Sequence, residues 1–133
     1  MDAAQALADL TEISSQIDAA ALFDGQGAVW ASTLEDDDRA QELVRGGREL
    51  LEAAESVQPG GASLTQLEAA TLEGSVFVVR DGSKRIVATT GPNPTVGLVF
   101  YDLKSCLRGL AEEPRGPAGT RGEETGEGNG DAA

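Results

Sequence analysis

The sequence predicts an α+β domain, a five-stranded antiparallel sheet flanked by helices in the order α-β-β-α-β-β-β-α. Three observations lead there. Apolar residues recur at helical spacing near the start, in the middle and near the end of the chain. Between these stretches lie short apolar runs broken by Asp-Gly pairs, at Asp24-Gly25 and Asp81-Gly82, the signature of hairpins. The runs come in groups and do not alternate singly with helices, which argues against a parallel sheet.

The first helix is expected over residues 3–17, where Ala3, Leu7, Leu10, Ile13 and Ile17 share one face. Ala19–Phe23 and Ala28–Ala31 then read as two strands around "DGQG", whose Asp24-Gly25 tolerates the positive φ angles of a tight turn. Trp30, the single tryptophan, is expected to pack on the sheet with its indole N–H near an edge. The clearest helix is "STLEDDDRAQELVRGGRELLEAAESV". Ser32 and Glu35 have capping-box spacing, with Thr33 as the other candidate N-cap. Asp36, Asp37 and Asp38 place negative charge where the helix dipole favours it. Ala40, Leu43, Val44, Gly47, Leu50, Leu51 and Ala54 form its apolar face. Gly46 and Gly47 are unusual there, since each costs about 1 kcal/mol in a helix interior. They mark either the close approach of another helix or a tolerated surface glycine or kink.

Pro59 and Gly60 end that helix. Three strands are expected next, at Ser63–Thr71, Ser75–Arg80 and Arg85–Thr90, with a weaker turn at Leu72–Gly74. The stretch "TTGPNPTVGLVFYDLKSCLRGL" then tests whether the chain holds a nucleotide itself. A phosphate loop needs two glycines with four residues between them, followed by Lys and Ser or Thr. Here five residues separate Gly91 from Gly97, and Leu98 and Val99 follow. Val96, Val99, Leu103, Cys106, Leu107 and Leu110 instead run at helical spacing. Asn93 is placed to cap and Pro94 to open a helix reaching about Glu112. Cys106 falls on its inner face, which predicts a buried structural thiol.

Composition narrows the chemistry. The net charge of -13 disfavours nucleic acid and anionic lipid as partners. It suits a basic partner, or serves only solubility. There is no histidine and one cysteine, so Ser–His and Cys–His pairs, disulfides within the chain and cysteine zinc sites are not available. Adjacent carboxylates such as Asp36–Asp38 point in different directions along a helix, which fits dipole capping better than a metal site. No cofactor, metal or catalytic residue is expected, and the chain reads as non-enzymatic. The start "MDAAQALADL" lacks the pattern of a signal peptide, and no run of about 18 apolar residues is present, so a cytoplasmic protein without membrane insertion is expected. The ordered domain is expected over residues 1–113. Residues 114–133, rich in Gly, Glu and Pro, read as a disordered tail that either tunes binding to a basic partner or only aids solubility.

The hairpin "ALFDGQGAVWAST", the acidic-capped central helix and "VFVVRDGSKRIVATTGPNPTVGLVFYDLKSCLRGL" together resemble the roadblock/dynein light chain family, especially its small stand-alone actinobacterial members. The resemblance spans roughly residues 3–113 and is strongest over Val76–Leu110. It implies a Longin-like fold and a homodimer. In that dimer the third strand, here Ser63–Thr71, pairs with its twin, and the central helices, here Asp36–Ser56, pack antiparallel. Leu43, Gly46, Gly47, Leu50, Leu67 and Ala69 are the interface residues this implies. The alternative left open is a heterodimer with a paralogous chain.

The resemblance further implies a regulator or scaffold for a small Ras-like GTPase, some relatives stimulating GTP hydrolysis. Arg39, Glu42, Arg45, Arg48 and Glu49, on the exposed side of the central helix, are the partner contacts to expect. Such charges equally form a solvated helix face. The alternative function is a tether for a signalling complex that leaves GTP turnover unchanged.

Overall fold

A computed structural model describes residues 1–58 and 64–110. Its frame is set by two β-branched runs that face apolar layers on both sides. β1 is Ile17–Phe23, β2 Val29–Ser32, β3 Gln66–Ala70, β4 Ser75–Asp81 and β5 Lys84–Thr90. They form one antiparallel sheet in the order β2-β1-β5-β4-β3. α1 (Ala3–Ile13), α2 (Asp37–Ser56) and α3 (Val96–Gly109) complete the expected order.

Alternation along the strands divides the core. Ala20, Leu22, Phe77, Val79, Ile86 and Ala88 face α1 and α3, where Leu7, Leu10, Val99, Leu103 and Leu107 close the layer. Phe77 and Phe100 meet edge to face there, with centroids 5.0 Å apart and planes at 77°. Ala21, Phe23, Val78 and Val87 face the opposite way, against Val44 and Leu51 of α2. Two helices thus cover one face and a single helix covers the other.

Several boundaries differ from the sequence expectation, each for a local reason. α1 stops at Ile13: the Ser14 N–H still makes the last helical bond, to Leu10 O, but the Ser14 backbone is extended (φ -117°, ψ 106°) and turns the chain into β1; Ile17 therefore belongs to the sheet, and Ile13 is left exposed. In the β1–β2 turn, the positive φ falls on Gly27 (+87°), not on Gly25. The turn is organised by Asp24, whose Oδ1 accepts from the N–H groups of Gln26 and Ala28 at 2.9 and 3.0 Å. Neither Ser32 nor Thr33 caps α2. The Ser32 Oγ accepts from Leu34 N–H, and the Thr33 Oγ1 accepts from Ala20 N–H on β1, both at 2.9 Å. Asp36 is the N-cap, its carboxylate accepting from Asp38 and Arg39 N–H, with Asp37 and Asp38 in the first turn. Trp30 lies on the β2 edge strand, half-buried against the α1/α3 layer.

The Asp81-Gly82 hairpin is present, with Gly82 at φ +64° and Asp81 opposite Lys84. β3 begins at Gln66, later than the expected Ser63, which lies outside the described residues. Asn93 does not cap α3. It adopts a left-handed conformation (φ 58°), and the helix starts after Thr95, whose N–H donates to the Gln16 side chain at 2.6 Å. That bond ties the start of α3 to the α1–β1 connection. α3 ends at Gly109, because Leu110 turns to an extended backbone (φ -74°, ψ 137°), short of the expected end near Glu112. The 1–113 boundary and the tail at 114–133 extend beyond the described residues.

Candidate interaction surface

α2 buries Ala40, Val44, Gly47 and Leu51 against the sheet. Leu43 and Leu50, two turns apart on its flank, remain half-buried. Beside them Gly46 and Val76 complete a groove of about 400 Å³. Val76 pairs with Ala69 of β3, and Leu67, two residues back on the same face, packs into the α2-side core with Leu43. Five of the six residues implied as a dimer interface, Leu43, Gly46, Leu50, Leu67 and Ala69, lie along one margin running from α2 to β3, whereas Gly47 is buried against the chain's own sheet. β3 is also an edge strand, so one row of its backbone groups has no ladder partner among the described residues. Such an edge is a template for pairing with another strand.

The two glycines of α2 have different physical roles. A Cβ on Gly47 would lie 3.0 Å from Cβ and Cγ2 of Val87 and 3.6 Å from Cγ2 of Val78. Gly47 thus permits close approach of α2 to its own sheet. Gly46 points away from the sheet, and nothing lies within 4 Å of where its Cβ would be.

The charged residues of α2 divide between its two flanks. Arg39, Glu42, Arg45 and Glu49 are exposed, and Arg48 is half-buried. Glu42 and Glu49 stand at the rim of the apolar groove on the β3 side. Arg45 and Arg48 line a second groove on the β2 side with Trp30 and Asp37. Arg48 lies over the β1–β2 turn, its Nη1 2.7 Å from where a Cβ on Gly27 would be. Glu42 and Glu49 thus face the β3 side, and Arg45 and Arg48 the β2 side, where Asp37 joins them.

Sequence reasoning missed the tie at the other end of α2. Glu55 and Arg80 of β4 form an ion pair, and Glu55 Oε2 also accepts from Leu64 N–H at 3.0 Å. The Leu64 amide first, and then Arg80, hold the Glu55 carboxyl below its ordinary pKa. Arg85 lies on the same sheet face, over the β1–β2 turn, and its pKa is lowered by burial and then by the neighbouring Arg80 charge. Partners 25 residues apart leave no short-range sequence signal.

The remaining chemistry lies on the other face. Cys106 is buried between α3 and α1, its thiol donating to Ala6 O at 3.6 Å. Burial, and then the charge of Asp9, push that thiol up to about 11, so it is protonated at neutral pH and serves packing. Among the described residues no group of three or more metal-ligating side chains converges, and no helix is long and apolar enough to cross a membrane.

No family model and no curated protein matches the chain. Solved structures do. The chain is similar to a roadblock/LC7 domain from Streptomyces avermitilis, with a TM-score of 0.73 and 15% identity over 82% of this chain and 94% of that one. It is also similar to MglB of Myxococcus xanthus, at TM-score 0.61 and 14% identity, covering 80% of this chain and 85% of that one. The gliding protein MglB of Thermus thermophilus gives 0.61 and 18%, covering 82% and 85%. With its element order, its single antiparallel sheet and its one-helix face all in place, the chain has the roadblock/LC7 fold.

Proposed function

We propose that this chain is a non-enzymatic homodimeric regulator or scaffold for a small Ras-like GTPase. The observation that carries the reading is the apolar margin from Leu43 and Leu50 to Leu67, on a fold shared with MglB and roadblock/LC7 domains. Half-buried leucines beside an open strand edge are the surface a twin copy would cover, β3 pairing with β3 and α2 packing on α2. Gly46, open above α2, lets a second helix approach closely. Once two α2 helices lie side by side, Arg39, Glu42, Arg45, Arg48 and Glu49 flank a broad, polar, two-fold platform for the GTPase.

Two measurements test this. Light scattering on the purified chain is expected to give a dimer at micromolar concentration, and Leu43→Asp with Leu67→Lys a folded monomer. A monomeric native chain would refute the dimer. The tagged chain is then exposed to host lysate loaded with a non-hydrolysable GTP analogue or with GDP. A small GTPase retained with one nucleotide only supports the regulator. A changed rate of GTP turnover with that GTPase separates regulation from tethering.

A further inference from the structure

The face opposite α2 holds a feature that neither dimerisation nor a GTPase platform uses. α1 and α3 lie antiparallel, with Met1 beside Gly109 at one end and Ile13 beside Asp102 at the other. Between them runs a groove with a pocket of about 140 Å³, floored by Leu10 and Cys106. Ile13, 66% exposed, and Met1, 47% exposed, form its apolar rims.

Asp102 opens into this groove while only 7% exposed. Among the described residues its carboxylate has no hydrogen-bond or ion-pair partner. The groove leaves its oxygens some contact with solvent, so a cation carried by a partner can reach them. Asp9 lines the same groove, close enough for its charge to be felt at Cys106. No lysine or arginine lines it. Two carboxylates in an apolar cleft between two helices describe a socket for a cation on an apolar stem.

We propose that the α1/α3 groove is the docking site for a basic amphipathic helix of a partner protein, whose Lys or Arg pairs with Asp102 and Asp9 while its apolar side chains cover Met1, Leu10 and Ile13. Charge selects this occupant. The whole chain carries -13, which draws a basic segment toward it. The chain's own residues 111–133 hold six acidic and two basic side chains, the wrong sign for the socket. Size agrees as well. The 11 residues of α1 span about 16 Å, room for about three turns of a docked helix presenting anchors at i, i+3/i+4 and i+7.

The test uses the full chain, a 16-residue Leu/Lys amphipathic peptide and its Leu/Glu twin at physiological salt. Amide shifts on titration with the Leu/Lys peptide are expected to cluster in α1 and α3. Asp102→Asn is expected to weaken its Kd about tenfold or more, and Asp37→Asn with Asp38→Asn less than twofold. The Tm of Asp102→Asn is expected to be unchanged or higher, since no described residue loses a bond to it. The proposal is overturned by no binding, by equal binding of the Leu/Glu twin, or by shifts that map to α2. Equal losses in the two sets of variants, or a lower Tm for Asp102→Asn, overturn it too. All of these readouts are independent of whether a GTPase binds the opposite face.

Discussion

Adjacent glycines in α2 allow a sharp test, because the same substitution should have opposite effects one residue apart. Gly46→Ala puts a methyl group into open space, with nothing within 4 Å. It should recover the helix propensity that glycine loses, about 0.5–1 kcal/mol. Gly47→Ala gains the same propensity but sets its Cβ 3.0 Å from two carbons of Val87. A normal contact needs a few tenths of an ångström more, and neither α2 nor the buried β5 gives way freely. Overpacking of this kind costs about 1–3 kcal/mol, so Gly47→Ala should come out neutral to about 2 kcal/mol destabilised. The two variants should therefore differ by about 1–3 kcal/mol, or roughly 4–20 °C in Tm for a domain of this size. Urea unfolding with a shared m-value measures the difference. Dimerisation adds a second axis. If α2 packs on its twin over Gly46, that substitution stabilises the protomer yet weakens association, and the dimer dissociation constant rises. The unfolding midpoint then depends on protein concentration. Two variants equal in stability within about 0.5 kcal/mol would refute the assignment of Gly47 to the helix–sheet contact.

Other outcomes follow from single observations. Asp36→Ala should cost about 1 kcal/mol through loss of the α2 cap, and Ser32→Ala clearly less, as read by thermal melts. Phe77→Ala, which removes a fully buried ring and its edge-to-face contact, should cost about 3–5 kcal/mol. The Leu64 amide and Arg80 hold the Glu55 carboxyl below its ordinary pKa, so its contribution is present at neutral pH and is lost as pH falls through the folded value. Urea midpoints at pH 7 and 3.5 should accordingly fall less for Glu55→Gln than for the native chain. Burial pushes the Cys106 thiol up to about 11 in the folded chain, from an ordinary value of 9.0. Stability should therefore decline between about pH 9 and 11, and a thiol reagent at pH 8 should label the folded chain far more slowly than the unfolded one.

The parts legible in the sequence are those whose signals are local. Hairpins announce themselves by turn residues, and helices by spacing, so all eight elements were expected in order with ends shifted by a few residues. Errors came where two local signals compete. Ser32, Thr33 and Asp36 can all cap, and the choice fell to Asp36 because the sheet edge and a tight turn occupy the two hydroxyls. Asn93 and Thr95 compete in the same way before α3, and the Gln16 side chain, far away in sequence, fixes Thr95. The candidate surface was legible as a list of helix residues but not as two flanks. Separating Glu42 and Glu49 from Arg45 and Arg48 requires knowing that β2 and β3 occupy opposite edges of the sheet. Asp102 reads on paper as an ordinary helix carboxylate. Only the packing of α1 against α3 gives it its burial.

The strand order β2-β1-β5-β4-β3 also governs how the chain reaches its folded state. Both flanking pairings are local. β1 with β2 and β4 with β5 are short hairpins that zip in about 1–10 μs. The seam between them is β1 against β5, joining Leu22 to Ile86 and Ala20 to Ala88. That seam closes a loop holding all of α2 and β3, so its entropy must be lost before its contacts form. The rate-limiting encounter is thus the meeting of two preformed halves at the middle of the sheet. Substitutions along Ala20–Leu22 or Ile86–Ala88 should slow folding, whereas those at the sheet rims should mainly speed unfolding.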